Sequence, residues 1–229
     1  MSCQKVYDTG LLYHHYANTA YPLTPQSFQR YKIHGDETVR SLLTAEWAKA
    51  SALCLYVHIP CCKTRCRFCE YTVLEGTTEE TQDHYVDLLL REMELYAPLV
   101  KGKPVIGFDL GGGTPLLLSE KNLRRITEGV SARFELRPAV EWSIETTPLI
   151  AAQEPEKIRA AYDLGFRRIS MGIQTVSTHL LEELGREGEP RRYEQAMKNI
   201  RAAGFRHVNL DLMYGFLHQT DVDLDTTLR

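Results

Sequence analysis

The sequence predicts an α/β fold in which parallel strands alternate with helices around a partial or complete barrel. Strand-like and helix-like segments alternate through most of the 229 residues with short connections. Each predicted strand is apolar on one face and polar or small on the other. An open sheet covered by helices on both faces would be apolar on both. The polar face is therefore expected to line a lumen, with a ligand site at the carboxyl ends of the strands.

Five strands are predicted, at residues 53–59, 105–110, 140–146, 168–174 and 207–214. Successive side chains of a strand point to opposite faces, so each strand divides into two sets. The sets expected beneath the helices are apolar: Leu55, Val57 and Ile59; Ile106, Phe108 and Leu110; Val140, Trp142 and Ile144; Ile169, Met171 and Ile173; Leu210, Leu212 and Tyr214. The opposite sets include Tyr56, Asp109, Glu145, Gln174 and Asp211.

Helices are predicted between these strands by apolar spacing and by capping residues. The clearest spans residues 79–97, with Tyr85, Leu89, Met93 and Tyr96 on one face and Thr77 and Glu80 spaced as a capping box. The others are expected at 37–50, 120–134, 155–164, 178–184 and 192–203. Residues 1–50 are predicted to form an N-terminal extension, irregular through its prolines at 22 and 25, and residues 51–229 a core domain.

Charge and hydropathy exclude several classes of function. The formal net charge is −3 and there is no basic block, so no nucleic-acid or anionic-membrane partner is expected. No apolar run reaches the roughly 18 residues of a membrane span. The first 15 residues lack the basic and apolar regions of a signal peptide. A cytoplasmic protein is expected.

Clustered cysteines give the strongest chemical signal. Of six cysteines, five lie between residues 54 and 69, and the spacing Cys62-x3-Cys66-x2-Cys69 directly follows the first predicted strand. Thiolates are the ligands of iron–sulfur clusters, and three of them would leave one iron of a 4Fe–4S cluster open to another ligand. A zinc site is a weaker alternative because no second Cys-x2-Cys pair exists. Inert thiols are another, and Cys54 and Cys61 are expected to serve in packing.

A wider set of motifs resembles the radical S-adenosylmethionine (SAM) superfamily, specifically the oxygen-independent coproporphyrinogen III oxidase-like family. The resemblance covers roughly residues 50–220. It is carried in order by Tyr56-Val-His-Ile-Pro-Cys-Cys62-x3-Cys66-x-Phe68-Cys69, Gly111-Gly-Gly-Thr-Pro115, Ser143-Ile-Glu145, Arg168-Ile-Ser-Met-Gly-Ile-Gln174, Gly185-Arg186 and Asn209-Leu-Asp211-Leu-Met-Tyr-Gly215. It implies a partial (β/α)6 TIM-type barrel. It also implies that the chain is truncated after the fifth strand, without the sixth βα unit and a C-terminal domain.

The resemblance implies the cofactors and their ligands. Cys62, Cys66 and Cys69 would hold a 4Fe–4S cluster whose electron cleaves SAM to methionine and a 5′-deoxyadenosyl radical. Tyr56, Gly112 and Glu145 would bind this SAM, since glycine permits close backbone approach and an inward carboxylate could hold a ribose hydroxyl or an ammonium group. A second SAM would be bound by Phe68, Gly113, Thr114, Gln174, Arg186 and Asp211. Alternatively, Gln174 and Asp211 are structural groups of the lumen and Arg186 is a surface residue.

Three functions are compatible with the resemblance. The first is oxidative decarboxylation of a porphyrinogen in haem biosynthesis, with flavodoxin or ferredoxin as electron donor and a monomeric protein. The second is radical methylation or cyclopropanation of another substrate, and the third is a haem chaperone. Departures from the family pattern bear on the substrate: Tyr71 stands where many coproporphyrinogen dehydrogenases have a fourth cysteine, Cys61 replaces an aromatic residue, and the turn reads Gly215-Phe-Leu-His-Gln-Thr220.

Overall fold

The computed structural model describes residues 36–69, 71–186 and 190–229. The chain divides into two compact units, Met1–Lys49 and Ala50–Arg229. In the first unit the structure describes helix α1 (Asp36–Ala48), where sequence periodicity predicts a helix at 37–50. The predicted irregular segment with its two helix-breaking prolines lies outside the described residues.

The second unit contains a parallel sheet whose main strands follow one another in chain order. The strands are β1 (Leu53–Ile59), β2 (Cys61–Cys62), β3 (Leu74–Glu75), β4 (Pro104–Gly112), β5 (Glu135–Leu136), β6 (Trp142–Thr146), β7 (Phe166–Gln174) and β8 (His207–Leu212). The central order is β1-β4-β6-β7-β8, with β5 pairing with the start of β4 and β2 with β3. Parallel neighbours joined in sequence by helices confirm the predicted α/β fold as an arc of a barrel.

Helices connect the strands. They are α2 (Glu79–Tyr96), α3 (Glu120–Arg133), α4 (Pro148–Gln153), α5 (Pro155–Asp163), α6 (Thr178–Glu183), α7 (Pro190–Ala203) and α8 (Asp221–Leu228), with 3₁₀ turns at Ala97–Val100 and Pro115–Leu117. The predicted capping box of α2 is wrong: Thr78, rather than Thr77, accepts the N–H of Thr81 at 3.2 Å. Helix α4 is missing from the sequence prediction because its six residues are too few to show periodicity.

The core lies between the helices and the apolar face of the sheet. Strand residues buried there are Val57, Ile59, Phe108, Leu110, Ile144, Ile169, Met171 and Ile173, each at most 7% exposed. Their alternate neighbours are the polar and small residues, as predicted. Covering only one face leaves the other to form a polar cavity.

Two predictions about strand faces are wrong. Ile106 is 57% exposed while Val105 is fully buried, because a bulge shifts the β1–β4 register, pairing Leu53 with Val105 and then Cys54 with Gly107. On β8, Leu210 and Leu212 are 40% and 39% exposed, since β8 forms one edge of the sheet and no described helix packs over them.

Three aromatic side chains pack together beneath the middle of the sheet. The rings of Phe108 and Trp142 are 5.2 Å apart and those of Trp142 and Phe166 are 5.8 Å apart, both edge to face. Phe108 and Phe166 lie 6.0 Å apart. These residues sit on three adjacent strands, so the cluster adds side-chain packing to the backbone pairing of β4, β6 and β7.

No helix in the described ranges is both long and apolar enough to cross a membrane. The expectation of a cytoplasmic location stays a prediction.

Replacing Phe166 by alanine should lower the free energy of unfolding by about 3–5 kcal/mol, since Phe166 is fully buried and the substitution leaves a cavity. Denaturant unfolding measures the change. Leu88→Ala is the control, because Leu88 is 48% exposed and its truncation should cost less than about 0.5 kcal/mol. Equal losses in the two variants would contradict the assigned core.

Candidate active site

The three predicted cluster ligands lie on a loop that is closed at its base. After Pro60, the two-residue strand β2 pairs in parallel with β3, and the N–H of Leu74 donates to the carbonyl of Pro60 at 2.8 Å. Within the loop, the N–H of Cys69 donates to the carbonyl of Cys66 at 3.1 Å. These hydrogen bonds stabilise the cysteine loop, so the loop does not need an apolar core of its own.

The glycine segment at the end of β4 crosses directly over the start of this loop. The N–H groups of Gly113 and Thr114 donate to the carbonyls of Ile59 and Cys61, each at 2.7 Å. A Cβ atom at Gly113 would lie 2.8 Å from both carbonyl oxygens and 2.9 Å from the Sγ of Cys62. Only glycine allows two backbones to approach so closely beside a ligand thiol.

Thr114 and Cys62 meet at this crossing. The Thr114 hydroxyl lies 3.7 Å from the Cys62 Sγ, and Thr114 is 4% exposed. Burial raises the pKa of the Cys62 thiol, an effect that the Thr114 hydrogen bond opposes. Burial thus disfavours the free thiolate, and a metal ion bound to the sulfur would offset that cost.

The far side of the cysteine loop rests on the end of helix α6. The N–H of Arg67 donates to the carbonyl of Leu184 at 3.1 Å. Arg186 then extends back across the loop: its Nε donates to the Sγ of Cys66 at 3.1 Å, its guanidinium also donates to the carbonyl of Gly172, and its carbon Cζ lies 5.6 Å from the centre of the Phe68 ring. Arg186 is therefore half-buried against the cysteine loop, at the end of helix α6.

Glu145 projects from β6 toward the glycine segment. Its Oε2 accepts the N–H of Gly112 at 3.1 Å, and a Cβ at Gly111 would lie 2.7 Å from its Oε1. Burial raises the pKa of this carboxyl, and the neighbouring Asp211 and Asp109 carboxylates add to the rise, while the bond from Gly112 opposes it. A cationic or hydroxylated ligand beside Glu145 would stabilise its charged form.

Gln174 occupies a strained position where β7 ends. It is the one described non-glycine residue with positive φ, at 65°, and Thr175 N–H donates to the carbonyl of Ile173 at 2.8 Å across it, as in a γ-turn. Its own carbonyl accepts the N–H of Met213 at 2.8 Å, and the residue is 8% exposed. Such strain costs about 1–3 kcal/mol and is concentrated at functional sites.

These groups surround one cavity of about 440 Å³ at the carboxyl ends of the strands. All three cysteines line it, together with eight of the nine predicted cofactor residues: Phe68, Gly112, Gly113, Thr114, Glu145, Gln174, Arg186 and Asp211. Tyr56 is the exception. Its side chain is 55% exposed and its hydroxyl lies 3.3 Å from His58 Nδ1; burial of part of the ring, followed by the charge of Glu145, raises its pKa to about 12.

Sequence reasoning missed part of the cavity wall. Ser170 and Gly172 lie on the polar face of β7, where the alternation of that strand predicts them, although it does not mark them as ligand contacts. Thr147 and Leu149, at the start of the unpredicted helix α4, and Tyr193 of α7 gave no signal, because contacts between distant elements bring them to the wall. The buried hydroxyl of Thr146, also in the wall, has no hydrogen-bond partner in the part of the chain that the structure describes.

The donor set fits a 4Fe–4S cluster. Cys62, Cys66 and Cys69 are free thiols that line one cavity, and its volume of about 440 Å³ leaves room for a group larger than an ion. No three His, Cys, Asp or Glu side chains within the described ranges are arranged around a single metal ion. A cubane does not require that arrangement, because its protein ligands bind separate iron atoms.

Replacing Gly113 by alanine should abolish most cluster loading, since the new Cβ would meet two backbone carbonyls that cannot move aside. Iron bound per chain after anaerobic reconstitution measures the effect, with circular dichroism to confirm folding. Gly107→Ala, within β4, is the matched control. Its Cβ would meet only the Cys54 side chain, at 3.0 Å, so normal loading is expected. Full loading of Gly113→Ala would contradict the close crossing.

Replacing Glu145 by glutamine should stabilise the cofactor-free protein at neutral pH. A carboxyl whose folded pKa is raised loses stability as pH climbs from its ordinary value of 4.5 through the folded value, and glutamine removes that loss. Unfolding free energies between pH 4 and 8 should therefore converge at the acidic end and separate above it. The exposed Glu128→Gln provides the control. A parent protein that gains stability relative to Glu145→Gln as pH rises would contradict the assignment.

Comparison with known proteins agrees with this geometry. The model of the radical SAM superfamily matches residues 56–229. The heme chaperone HemW of Escherichia coli K12 is 34% identical over 172 residues, covering 75% of this chain and 45% of that protein. The oxygen-independent coproporphyrinogen III oxidase of the same strain is 33% identical over 178 residues, covering 77% and 38%.

A solved structure is similar as well. The coproporphyrinogen III oxidase HemN of E. coli, described as a radical SAM enzyme, superposes with a TM-score of 0.75 at 30% identity, covering 85% of this chain and 44% of that one. The chain thus spans less than half the length of these relatives. Its family match, its parallel sheet and its cysteine loop agree, and the chain belongs to the radical SAM superfamily, in the group similar to oxygen-independent coproporphyrinogen III oxidase.

Proposed function

We propose that this chain is the cofactor-binding core of a radical SAM enzyme that acts on a porphyrinogen. One observation carries the proposal: three free cysteine thiols and eight residues expected to contact SAM line a single cavity at the carboxyl ends of parallel strands. Barrel enzymes place their chemistry at this end of the sheet. No membrane or nucleic-acid partner is proposed.

Cys62, Cys66 and Cys69 would bind three irons of the cluster and leave the fourth for SAM. When bound, this pair of cofactors supplies one-electron cleavage of SAM and a 5′-deoxyadenosyl radical that removes hydrogen from substrate. The protein's part is to fix the thiols and exclude water. The backbone crossing at Gly113 and the burial of Thr114 serve both purposes.

Glu145 and Gly112 would hold the SAM bound to the cluster. The carboxylate already accepts the Gly112 N–H, and its raised pKa marks an environment poor in positive charge. An ammonium group or ribose hydroxyl of SAM would supply the missing partner and lower that pKa. Tyr56 stands on the same face of the sheet as Glu145 but outside the cavity wall, so its part would be indirect.

A second SAM is proposed beside the first. Phe68, Gly113, Thr114, Gln174, Arg186 and Asp211 share the cavity with the first set. Backbone hydrogen bonds hold Gln174 in its strained turn. The conformation at the end of β7 therefore determines the direction in which the Gln174 side chain leaves the backbone. Arg186 would stabilise a carboxylate of this second SAM, and Asp211 would stabilise a cationic group.

The proposed reaction is oxidative decarboxylation of a propionate side chain. A hydrogen atom leaves the propionate, carbon dioxide departs, and one electron passes to an acceptor while the vinyl group forms. Similarity to a coproporphyrinogen oxidase at 33% identity supports this substrate. Flavodoxin or ferredoxin as the electron donor, a monomeric state and a cytoplasmic location remain predictions.

A haem chaperone is the second candidate. It is favoured by 34% identity to the heme chaperone HemW over 75% of the chain, and by Tyr71, which stands in the cavity wall where many coproporphyrinogen dehydrogenases have a fourth cysteine. Such a protein would keep the cluster but bind haem stoichiometrically. Radical methylation or cyclopropanation of another substrate stays an alternative enzyme activity.

Anaerobic reconstitution with iron and sulfide, followed by SAM and dithionite, tests the proposal. We expect about four irons per chain, as a cubane requires, and 5′-deoxyadenosine from the parent protein. Cys66→Ala should lose both, because it removes one cluster ligand. Cys54→Ala, at an exposed thiol outside the cavity, should retain both.

The same preparation separates the two candidates. Coproporphyrinogen consumed with release of carbon dioxide supports the oxidase, whereas one haem bound per chain without 5′-deoxyadenosine supports the chaperone. Zinc in place of iron, or no metal in the parent protein, would contradict both.

A further inference from the structure

Arg186 is held by hydrogen bonds both at its backbone and at its guanidinium. Helix α6 ends in a Schellman motif: Gly185 N–H donates to the carbonyl of Glu182 at 3.0 Å and Arg186 N–H to that of Leu181 at 2.9 Å. Gly185 has φ of +69°, which glycine adopts without strain. The motif therefore fixes the direction in which the Arg186 side chain leaves the helix.

The side chain is then fixed at its other end. Its Nε lies 3.1 Å from the Sγ of Cys66, a second guanidinium nitrogen donates to the Gly172 carbonyl, and the group stacks near the Phe68 ring at 5.6 Å. A Cβ at Gly172 would lie 2.7 Å from the Nε2 of Gln174 and 3.7 Å from both terminal nitrogens of Arg186, so the Gln174 amide and the guanidinium both cover that glycine. Three contacts with different elements hold one planar group in a single orientation.

We propose that Arg186 is a positioning residue for the cluster: its Nε donates an N–H···S hydrogen bond to the Cys66 thiolate and raises the reduction potential of the iron–sulfur cluster. The inference rests on the proposed function for the presence of the cluster. It goes beyond that function by assigning to one side chain the control of how readily the cluster accepts an electron. A guanidinium has five N–H donors, so the Cys66 and Gly172 bonds leave donors for a ligand in the cavity.

The physical reason is the negative charge that accompanies reduction. When the cluster goes from its 2+ to its 1+ state, the added electron is shared with the ligand sulfurs. Hydrogen bonds to those sulfurs stabilise the reduced state, and hydrogen bonding and solvent exposure are among the factors that set cluster potentials. A charge-assisted donor such as guanidinium is roughly twice as strong as a neutral one.

Arg67 provides a matched control. It belongs to the same loop, next to Cys66, and carries the same charge, but its described hydrogen bonds go to the backbone carbonyls of Leu184 and Glu183. Removing the Arg67 charge tests the effect of a nearby cation on the cluster. Removing Arg186 tests that effect together with the N–H···S bond.

The experiment is a potentiometric titration of the reconstituted cluster without SAM, in which one electron per cluster is supplied by dithionite. Arg186→Gln and Arg186→Lys should both bind iron as the parent does. At a fixed solution potential, each variant should have at least a tenfold lower ratio of reduced to oxidised cluster than the parent. This corresponds to a shift of the cluster's reduction potential by about 59 mV toward negative values. Lysine keeps the charge but lacks the planar fork that binds Cys66 and Gly172 together, so its shift reports the loss of that hydrogen-bond geometry. Arg67→Gln should change the ratio less than threefold.

A measurement on the parent protein keeps the test decisive if the Arg186 variants fail to load iron. With arginine labelled by ¹⁵N in the guanidinium, pulsed electron paramagnetic resonance of the reduced cluster should show a ¹⁵N coupling that persists in Arg67→Gln. An absent coupling in the parent, or unchanged potentials in both loaded Arg186 variants, would overturn the proposal. Formation of 5′-deoxyadenosine is assayed separately, so failure of the proposed function would be recognised independently.

Discussion

The close backbone crossing between the end of β4 and the start of the cysteine loop is the constraint on which the site depends. Two hydrogen bonds of 2.7 Å join Gly113 and Thr114 to Ile59 and Cys61, and no side chain fits between them. The crossing aligns the first ligand thiol with the floor of the cavity. It also links the sheet, which is packed on a buried aromatic cluster, to a loop that has no apolar core.

Polar groups in the cavity are costly to the cofactor-free protein. Glu145 is half-buried near two other carboxylates, with one backbone N–H as its described hydrogen-bond donor, and Gln174 holds a backbone conformation that glutamine rarely adopts. A one-sided sheet makes this possible, because its apolar face supplies the folding energy while its polar face is left for chemistry. The apolar faces of the strands thus provide stability, and the polar faces of the same strands provide the site.

The sequence was sufficient for the parallel fold, the cysteine loop and eight further residues of the cavity wall, because each depends on local alternation or on ordered motifs. Ile106 could not be placed correctly, since a single bulged residue reverses the faces of the strand around it. The contact between Arg186 and Cys66 could not be predicted either, because it depends on how the end of helix α6 packs on a loop that is distant in the sequence. Tyr56 matches a family motif, yet its side chain stands outside the cavity wall.

The anchoring of the cysteine loop by distant segments has a consequence for biosynthesis. Cys66 and the arginine that contacts it are separated by 120 residues, and the glycine segment lies between them in the chain. During translation, the thiols leave the ribosome long before their supports do. Until Arg186 emerges, the loop lacks its contacts with the end of helix α6. The wall of the cavity is complete only after Asp211 has also been synthesised.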